Sequence, residues 1–201
     1  MTLAIITGLI IIGIALILIR VVYVVWRTGK SQKSRGRAPR HVSTLIVLGS
    51  GGHTAEMLNL LSVLQKERFN PRFYTGDKEP ETSQFIQIYR SREVGQSYVT
   101  SVWTTLVAMA HALWLMFRIR PEVVLCYSPG TCIPLCVIAF LFKILGIQWS
   151  SIFYVESIAR VQRLSLSGLI LYKLHISDQF FVQWPQLQKK CPRAHYVSCL
   201  M

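Results

Sequence analysis

A glycine-rich loop that includes a histidine is the stretch of this sequence whose residue types point most directly to chemistry. A run of β-forming residues leads into the loop, and a helix-like pattern follows it. Glycines let backbone amides approach a phosphate, and the N-terminus of the following helix adds partial positive charge. The loop lacks the Gly-Lys-Ser/Thr of a P-loop and a complete dinucleotide fingerprint, so a purely structural turn is an equal alternative. The candidate phosphate-binding residues are Gly49, Ser50, Gly51, Gly52, His53 and Thr54.

The histidine of this loop, His53, has two interpretations. An imidazole titrates near neutral pH, so it can take a proton from an attacking hydroxyl or donate a hydrogen bond to a phosphate oxygen. A histidine that only caps the following helix is the simpler interpretation, and the residues alone favour it slightly.

Two further strand ends carry polar residues. A second loop, which contains Gly130 and Thr131, follows a run of apolar β-formers, and Glu156 directly follows another such run. Because the carboxyl ends of parallel strands open at the same edge of a sheet, these residues are expected to lie near the first loop. The alternative for Glu156 is an ion pair with Arg160, one helical turn further on.

The composition indicates a membrane protein. The 201 residues are 52% hydrophobic and carry a net charge of +13, a pairing that freely soluble domains rarely show. Residues 3–19 contain no charged side chain, and residues 21–26 continue the apolar run after Arg20, which gives the roughly 20 residues that a bilayer crossing needs. A signal peptide would need basic residues before this run and a small-residue cleavage site after it, and neither is present. The sequence therefore predicts an uncleaved transmembrane anchor.

Basic residues follow the apolar run, and no acidic residue precedes Glu56. By the positive-inside rule this flank stays in the cytosol, so the short N-terminus is predicted to be lumenal and the main domain cytosolic. The position beside a membrane span favours contact with anionic lipid headgroups over contact with nucleic acid. We therefore divide the chain into an anchor at residues 1–27, a basic linker at 28–40 and a folded domain at 41–201.

The folded domain is predicted to be α/β, with a Rossmann-like parallel sheet and flanking helices. Its strands are unbroken apolar runs, which is typical of strands covered on both faces. The predicted strands are residues 43–48, 72–74, 122–127, 151–155 and 179–182. The predicted helices are residues 54–67, 83–89, 102–119, 133–145 and 166–174.

Two of the predicted helices are apolar enough to raise the question of further membrane spans. Residues 102–117 and 133–145 are short for that purpose, so packing on the sheet is the preferred interpretation. A third interpretation places this helix pair in the headgroup plane. The interfacial side chains would then be Trp103, Trp114, Arg118 and Arg120.

Taken together, the apolar N-terminus and the motifs LGSGGHTAEML, CYSPGT and FYVES resemble one family. It comprises the membrane-anchoring subunits of the eukaryotic N-acetylglucosaminyltransferase that adds the second sugar to dolichol diphosphate. This family is similar to the N-terminal, acceptor-binding half of the bacterial transferase that makes lipid-linked peptidoglycan precursor, a two-lobed GT-B enzyme. The resemblance extends from residue 3 to about residue 187, and the tail after Leu187 departs from it.

The resemblance implies a subunit that is not an enzyme on its own. Such a chain would recruit a cytosolic catalytic partner to the endoplasmic reticulum membrane and present N-acetylglucosaminyl diphosphodolichol, while the partner binds UDP-N-acetylglucosamine. No cofactor, metal or nucleic acid is implied. His53 would then assist proton removal or contact the acceptor diphosphate within the first loop, Gly130 and Thr131 would form the second loop, and Glu156 would be the acidic residue at a strand end.

Two other functions are open to this sequence. One is a self-sufficient membrane-bound transferase that uses His53 and Glu156 and is completed as a homodimer. Its difficulty is length, because a GT-B enzyme needs two lobes. The other is a membrane-tethered nucleotide-binding module, for which the glycine loop and the basic flank are the motivation.

Overall fold

The computed structural model of the protein describes residues 2–28, 42–48, 56–57, 59–61, 72–76, 85–87, 98–127 and 132–197. Strands and helices alternate along these residues. In chain order they are α1 (Thr2–Arg27), β1 (Thr44–Val47), β2 (Arg72–Gly76), β3 (Phe85–Gln87), α2 (Tyr98–Ile119), β4 (Val123–Cys126), α3 (Cys132–Leu145), β5 (Ser151–Val155), α4 (Leu166–Lys173), β6 (Gln179–Val182), α5 (Pro185–Lys190) and β7 (His195–Tyr196). Residues 56–57 and 59–61 are also helical.

Within the described residues the strands form a single seven-stranded sheet in the order β3-β2-β1-β4-β5-β6-β7. Every strand pair in it is parallel. All four residues of β1 and all four of β4 are buried, because helical layers cover both faces of the sheet. The predicted Rossmann-like sheet with flanking helices is therefore confirmed, and the carboxyl ends of β1, β4, β5 and β6 lie side by side.

The core is divided by the sheet into two clusters. Successive side chains of a strand point to opposite faces. Leu45 and Val47 accordingly pack in the larger cluster, with α2 and α3. Ile46 and Leu48 pack in the smaller cluster, together with Met57 from the helical turn that follows the first glycine loop. This second cluster holds that turn against the sheet.

One predicted helix is wrong. Residues 83–89 were expected to be helical, whereas Phe85–Gln87 form β3 and pair in parallel with β2 at the edge of the sheet. The backbone hydrogen bonds of a strand pair depend on a neighbour distant in sequence, and here they override a short local helical pattern. The short elements α5 and β7 were not predicted either.

The two apolar segments at residues 102–117 and 133–145 form α2 and α3, and both pack on the sheet as predicted. The buried face of α2 consists of Ala108, Ala112, Leu115 and Met116. Its opposite face exposes Val102, Trp103, Leu106, Trp114 and Phe117. By length and composition, Val102–Ile119 is also apolar enough to cross a membrane.

The first two thirds of α1 project away from the domain. Large apolar side chains from Ile5 to Ile19 are exposed on every side of the helix, and Ile5–Arg27 is long and apolar enough to span a bilayer. An apolar surface that surrounds a helix and meets no protein is suited to lipid. The chain is therefore predicted to be membrane-associated through α1.

The last turns of α1 belong to the domain. Arg20 donates from Nε to the carbonyl oxygen of Ile144 and from Nη2 to that of Lys143, both at 3.2 Å. These carbonyls end α3, where a helix leaves acceptors unpaired and carries partial negative charge. One turn later, Val24 is fully buried. From Arg20 onward α1 therefore contacts the C-terminus of α3 on one side, while Val22 and Trp26 on its other side stay exposed.

A buried ion pair lies beside this junction. The Lys143 side chain is fully buried, and its Nζ donates to Oδ2 of Asp178. The same carboxylate oxygen accepts from the backbone amide of Ile152 at 2.7 Å. Burial lowers the pKa of Lys143, while the charge of Asp178 opposes this. Asp178 thus joins the C-terminal turn of α3 to the start of β5.

Candidate functional site at the carboxyl edge of the sheet

Most of the predicted site residues lie outside the residues that the structure describes. These are Gly49, Ser50, Gly51, Gly52, His53, Thr54, Gly130 and Thr131. Their assignment as a phosphate-binding pair of loops stays a prediction. The residues that flank the loops are described, and so is Glu156, so the site is built from these.

The carboxylate of Glu156 lies in a cage of hydrogen-bond donors. Glu156 is fully buried directly after β5. Its Oε2 accepts from both the backbone amide and the hydroxyl of Ser165, each at 3.1 Å. Its Oε1 accepts from the amide of Ser157 at 3.2 Å. Ser165 is the N-cap of α4, so the carboxylate sits at the positive end of that helix.

These contacts replace the predicted alternative of an ion pair with Arg160. Between these two described residues the structure shows no ion pair, and Arg160 is exposed. Burial raises the pKa of Glu156, and the hydrogen bonds from Ser165 oppose that rise. Glu156 is therefore a buried, hydrogen-bonded carboxyl group directly after β5.

A glycine permits the close approach of Glu156 to α4. A Cβ added at Gly168 would lie 2.2 Å from Oε2 of Glu156, far inside van der Waals contact. The amide of Gly168 also donates to the Ser165 hydroxyl at 3.0 Å, and the Tyr154 hydroxyl lies 3.1 Å from the same oxygen. The first turn of α4 is thus shaped to receive this carboxylate.

A chain of hydrogen bonds joins four segments at the same edge. Tyr127, one residue past β4, donates from its hydroxyl to Oε2 of Glu56. Its oxygen accepts from Nε2 of Gln183 at 3.0 Å, and that amide also donates to the carbonyl oxygen of Glu156 at 3.1 Å. The ends of β4, β5 and β6 and the turn after the first glycine loop are thereby connected.

Sequence reasoning missed Glu56, Tyr127 and Gln183 as members of this edge. Burial raises the pKa of Tyr127 above its usual range, and the neighbouring Glu56 carboxylate raises it further, so the phenol remains a hydrogen-bond donor. In the sequence, only the positions of these residues next to predicted strands and loops could have identified them. Tyr127 immediately precedes the second loop, and Gln183 immediately follows a predicted strand.

The described residues at this edge are joined by hydrogen bonds. Among the described residues, no group of three or more His, Cys, Asp or Glu side chains is placed to hold a metal ion. Carboxylate, phenol and amide groups meet at this edge and form a connected hydrogen-bond network.

Comparison with known proteins decides the family. The model of the family described as oligosaccharide biosynthesis protein Alg14 like matches residues 44–200. The chain belongs to the Alg14 family. The match also includes most of the tail after Leu187, which sequence reasoning had set apart.

Several relatives in the Alg14 family are similar along most of their length. The UDP-N-acetylglucosamine transferase subunit ALG14 of Homo sapiens is 42% identical over 205 residues, covering 88% of this chain and 92% of the relative. The subunit of Yarrowia lipolytica is 42% identical over 81% of this chain and 84% of its own length. The subunit of Candida albicans is 39% identical over 94% of this chain and 92% of its own length. The predicted resemblance is confirmed.

Solved structures support the fold. MurG of Acinetobacter baumannii superposes with a TM-score of 0.52 at 15% identity over 73% of this chain and 42% of MurG. A UDP-N-acetylglucosamine 2-epimerase superposes with a TM-score of 0.54 at 13% identity, over 77% of this chain and 45% of the epimerase. This Alg14-family chain thus spans less than half of each, and identities this low show the fold alone. The predicted fold, one Rossmann-like half of a GT-B architecture, is confirmed.

Proposed function

We propose that this chain is the membrane-anchoring, acceptor-presenting subunit of a UDP-N-acetylglucosamine transferase. It recruits a cytosolic catalytic partner to the endoplasmic reticulum membrane, where the complex adds the second N-acetylglucosamine to N-acetylglucosaminyl diphosphodolichol. The observation that carries the proposal is membership of the Alg14 family, whose curated relatives are named transferase subunits.

The names of the relatives support a division of labour between two chains, because the curated relatives that match over most of their length are called transferase subunits. The domain has the fold of one lobe, since its superposition covers 42% of MurG. A separate polypeptide would supply the second lobe and bind the nucleotide sugar. A self-sufficient homodimeric transferase and a nucleotide-binding module are both less favoured, because neither matches relatives that are named subunits.

The acceptor would bind at the carboxyl edge of the sheet. The first loop, with His53 and Thr54, and the second loop, with Gly130 and Thr131, would contact its diphosphate through backbone amides and hydroxyls. Sugar transfer needs a base that removes a proton from the acceptor hydroxyl as the bond to the departing UDP breaks. His53 is our candidate for this role on this chain. Glu156 supports the same edge from below through Ser165.

The outward face of α2 would rest on the bilayer and bring the lipid-linked acceptor to this edge. Trp103 is 70% exposed and Trp114 is 47% exposed. The guanidinium of Arg118 lies 5.1 Å from the centroid of the Trp114 ring. Exposed tryptophans beside a basic residue are typical of a helix at the headgroup level. A second arginine–tryptophan pair lies where α1 joins the domain, since the guanidinium of Arg27 lies 4.4 Å from the centroid of the half-buried Trp149 ring.

The proposed layout keeps an anchor at residues 1–27, a basic linker at 28–40 and the acceptor-binding domain at 41–201. The short N-terminus would be lumenal and the domain cytosolic, because the basic flank follows the apolar helix. The structure refines where to cut the anchor. A deletion that ends at Ile19 removes the lipid-facing turns and spares Arg20, which binds the C-terminus of α3.

Deleting residues 1–19 is expected to move the partner from the membrane fraction to the soluble fraction while the two chains still co-purify. The rate of sugar transfer to the acceptor in vesicles should fall at least tenfold, because the enzyme and its lipid substrate are no longer held together on the same membrane surface. Fractionation followed by a transfer assay measures both effects. The control replaces residues 2–19 with an unrelated apolar helix of equal length, which should restore both. A partner that stays on the membrane after the deletion would contradict recruitment by this chain.

A further inference from the structure

A cavity lies at the amino edge of the sheet, on the side opposite to the candidate acceptor site. It has a volume of about 370 Å³ and lies between the C-terminal end of α4, the starts of β6 and β7, and the residue that follows α1. A space of this size holds a small polar group. Its wall includes Thr28, Tyr172, His175, Asp178, Arg193 and His195.

The arginine of this cavity is held in place by α4. The guanidinium of Arg193 lies 4.3 Å from the centroid of the Tyr172 ring, and its Nη2 donates to the carbonyl oxygen of Tyr172. A guanidinium has five N–H donors, and this hydrogen bond uses one of them. The other donors form a planar fork that suits the paired oxygens of a phosphate.

The histidine at the end of α4 occupies a backbone position at which glycine is usual. His175 has a φ of 54° and directly follows Leu174, the C-cap of the helix. The amide of Ile176 donates to the carbonyl of Leu171 at 3.1 Å, which closes the end of α4 as a Schellman motif. A side chain in this left-handed conformation strains the backbone, and such strain is often kept where the side chain has a function.

The imidazole of His175 has one nitrogen available to a ligand. Its Nδ1 lies 3.1 Å from the carbonyl oxygen of Lys173. A carbonyl oxygen only accepts, so Nδ1 carries the proton in this contact. Nε2 is therefore the nitrogen that can meet a ligand in the cavity, and it donates to an anion when the ring is protonated.

The carboxylate in the wall does not make the cavity acidic. Asp178 accepts from the buried ammonium of Lys143, and only 14% of its side chain is exposed. This ion pair carries no net charge. The described residues of the wall are then positive through Arg193, so an anion is the ligand that they favour.

The cavity lies beside the end of the membrane helix. Thr28 follows α1 directly, and its amide donates to the carbonyl of Val24 at 2.8 Å. Trp26 is 63% exposed, and Arg27 comes next. A tryptophan and an arginine at the end of an apolar helix are typical of the headgroup level of a bilayer. One wall of the cavity is therefore at the depth of the lipid phosphates.

We propose that this cavity binds the phosphate group of an anionic phospholipid, with Arg193 as its main contact and His175 as the second. The inference rests on the membrane association of α1, which is part of the proposed function, and it is independent of sugar transfer. Basic pockets beside membrane helices on the cytosolic side suit such headgroups. A bound lipid fixes the amino edge of the domain to the membrane, at the opposite edge from the acceptor.

The test measures lipid binding to the full chain by native mass spectrometry from micelles of detergent, phosphatidylcholine and phosphatidate. The wild type is expected to retain phosphatidate in preference to phosphatidylcholine. Arg193→Gln should lower the affinity for phosphatidate at least about tenfold, because a hydrogen bond between two charged groups is lost. Equal retention of the two lipids by the wild type, or unchanged affinity in Arg193→Gln, overturns the proposal.

The matched control is Lys173→Gln, which removes the same charge from a nearby position. Lys173 is exposed at the end of α4, and its side chain lies outside the described wall of the cavity. General attraction of a basic residue to an anionic lipid is screened by salt. At physiological ionic strength the affinity of this variant should stay within about twofold of the wild type. A loss as large as that of Arg193→Gln overturns a specific site.

A second variant separates lipid binding from folding. Glycine adopts the φ of position 175 without strain, so His175→Gly should have a melting temperature equal to or above that of the wild type. Its affinity for phosphatidate should nevertheless fall about threefold to tenfold, the effect of losing one hydrogen bond. Unchanged affinity would mean that His175 only ends α4, and it would overturn the assignment of this residue to the site.

A soluble probe identifies the source of the phosphate. Glycerol 3-phosphate has the headgroup of phosphatidate without its acyl chains. Because α1 holds the cavity at the membrane, a lipid is present there at a high local concentration. Glycerol 3-phosphate at the same total concentration should therefore displace less than about a tenth of the bound phosphatidate. Displacement of half or more would make a free phosphate ester the ligand and overturn the assignment to a lipid.

The same measurement on the complete complex keeps this proposal apart from the proposed function. A complex that retains phosphatidate but fails to transfer sugar would refute the proposed function and support the lipid site. A complex that transfers sugar without preferring phosphatidate would overturn the lipid site alone. Displacement of phosphatidate by the catalytic partner would also overturn it, because the cavity would then belong to the interface between the two chains.

Discussion

Replacing Asp178 with alanine is expected to lower the free energy of unfolding by about 3 to 5 kcal/mol. The substitution leaves the ammonium of Lys143 fully buried without its counter-ion. It also removes the acceptor for the Ile152 amide, which Asp178 holds at 2.7 Å. Because Arg20 binds the carbonyl of Lys143, the loss should also loosen the junction between α1 and the domain. Chemical unfolding in detergent measures the change.

The pH dependence of this loss has a defined sign. Burial already lowers the pKa of Lys143, and Asp178 opposes that effect, so Asp178→Ala lowers the pKa further. The unfolded variant then binds more protons than the folded one, and its stability rises with pH. We expect the deficit to shrink as the pH is raised from about 7 toward about 9.

A second variant distinguishes an unpaired charge from lost packing. The combination Lys143→Met with Asp178→Leu removes both charges and retains apolar volume, so it should recover most of the stability. A single Asp178→Ala variant that is no less stable than this double variant would contradict the account of the pair.

Replacing Gly168 with alanine is expected to cost about 2 to 4 kcal/mol of stability and to impair the complex. The new Cβ would lie 2.2 Å from Oε2 of Glu156, and this carboxylate cannot swing into solvent because it is fully buried and bound by Ser165. Either the carboxylate leaves its donors or α4 moves away from β5. Thermal unfolding and the transfer rate of the complex measure the two consequences.

Glycines on α1 provide the matched control for this change. A Cβ added at Gly8 or Gly13 meets no atom within 4 Å, so alanine there should leave the stability of the domain unchanged. The compensating variant is Glu156→Ala in the Gly168→Ala background, which removes the clash and should recover part of the stability. If Gly168→Ala is as stable as the wild type, the packing of Glu156 on α4 is not as described.

The parts of the fold that were predictable are those with a local signal. Unbroken apolar runs identified β1, β4 and β5, because a strand buried on both faces has no other pattern. The apolar N-terminus identified α1 for a similar reason. β3 had no such signal, since three residues at an edge are determined by pairing with β2.

The side-chain contacts that build the site were not predictable, because their partners are distant in the chain. Tyr127 and Glu56 are 71 positions apart, and Lys143 and Asp178 are 35 apart. Lys143 is a lone charge in an apolar helix, and its counter-ion Asp178 is identified only by the fold. Arg20 likewise interrupts the apolar run of the anchor in the sequence, whereas in the fold it binds the C-terminus of α3.

The structure describes the surroundings of Glu156 but not those of His53. The position of Glu156 at a strand end was predicted, but its burial under α4 depends on Ser165 and Gly168, whose spacing carries no distinctive signal in the sequence. The catalytic role of Glu156 and that of His53 stay predictions. His53 lies outside the described residues, so its role rests on the loop in which it lies.

The most direct test of the central claim is a reconstituted transfer assay. UDP-N-acetylglucosamine and an N-acetylglucosaminyl diphosphate lipid in vesicles are given to this chain alone, to the partner alone, and to both together. We predict transfer by the two chains together and, from either chain alone, a rate lower by at least about a hundredfold, because each would supply one lobe of a two-lobed site. Transfer at the full rate by this chain alone would contradict the account.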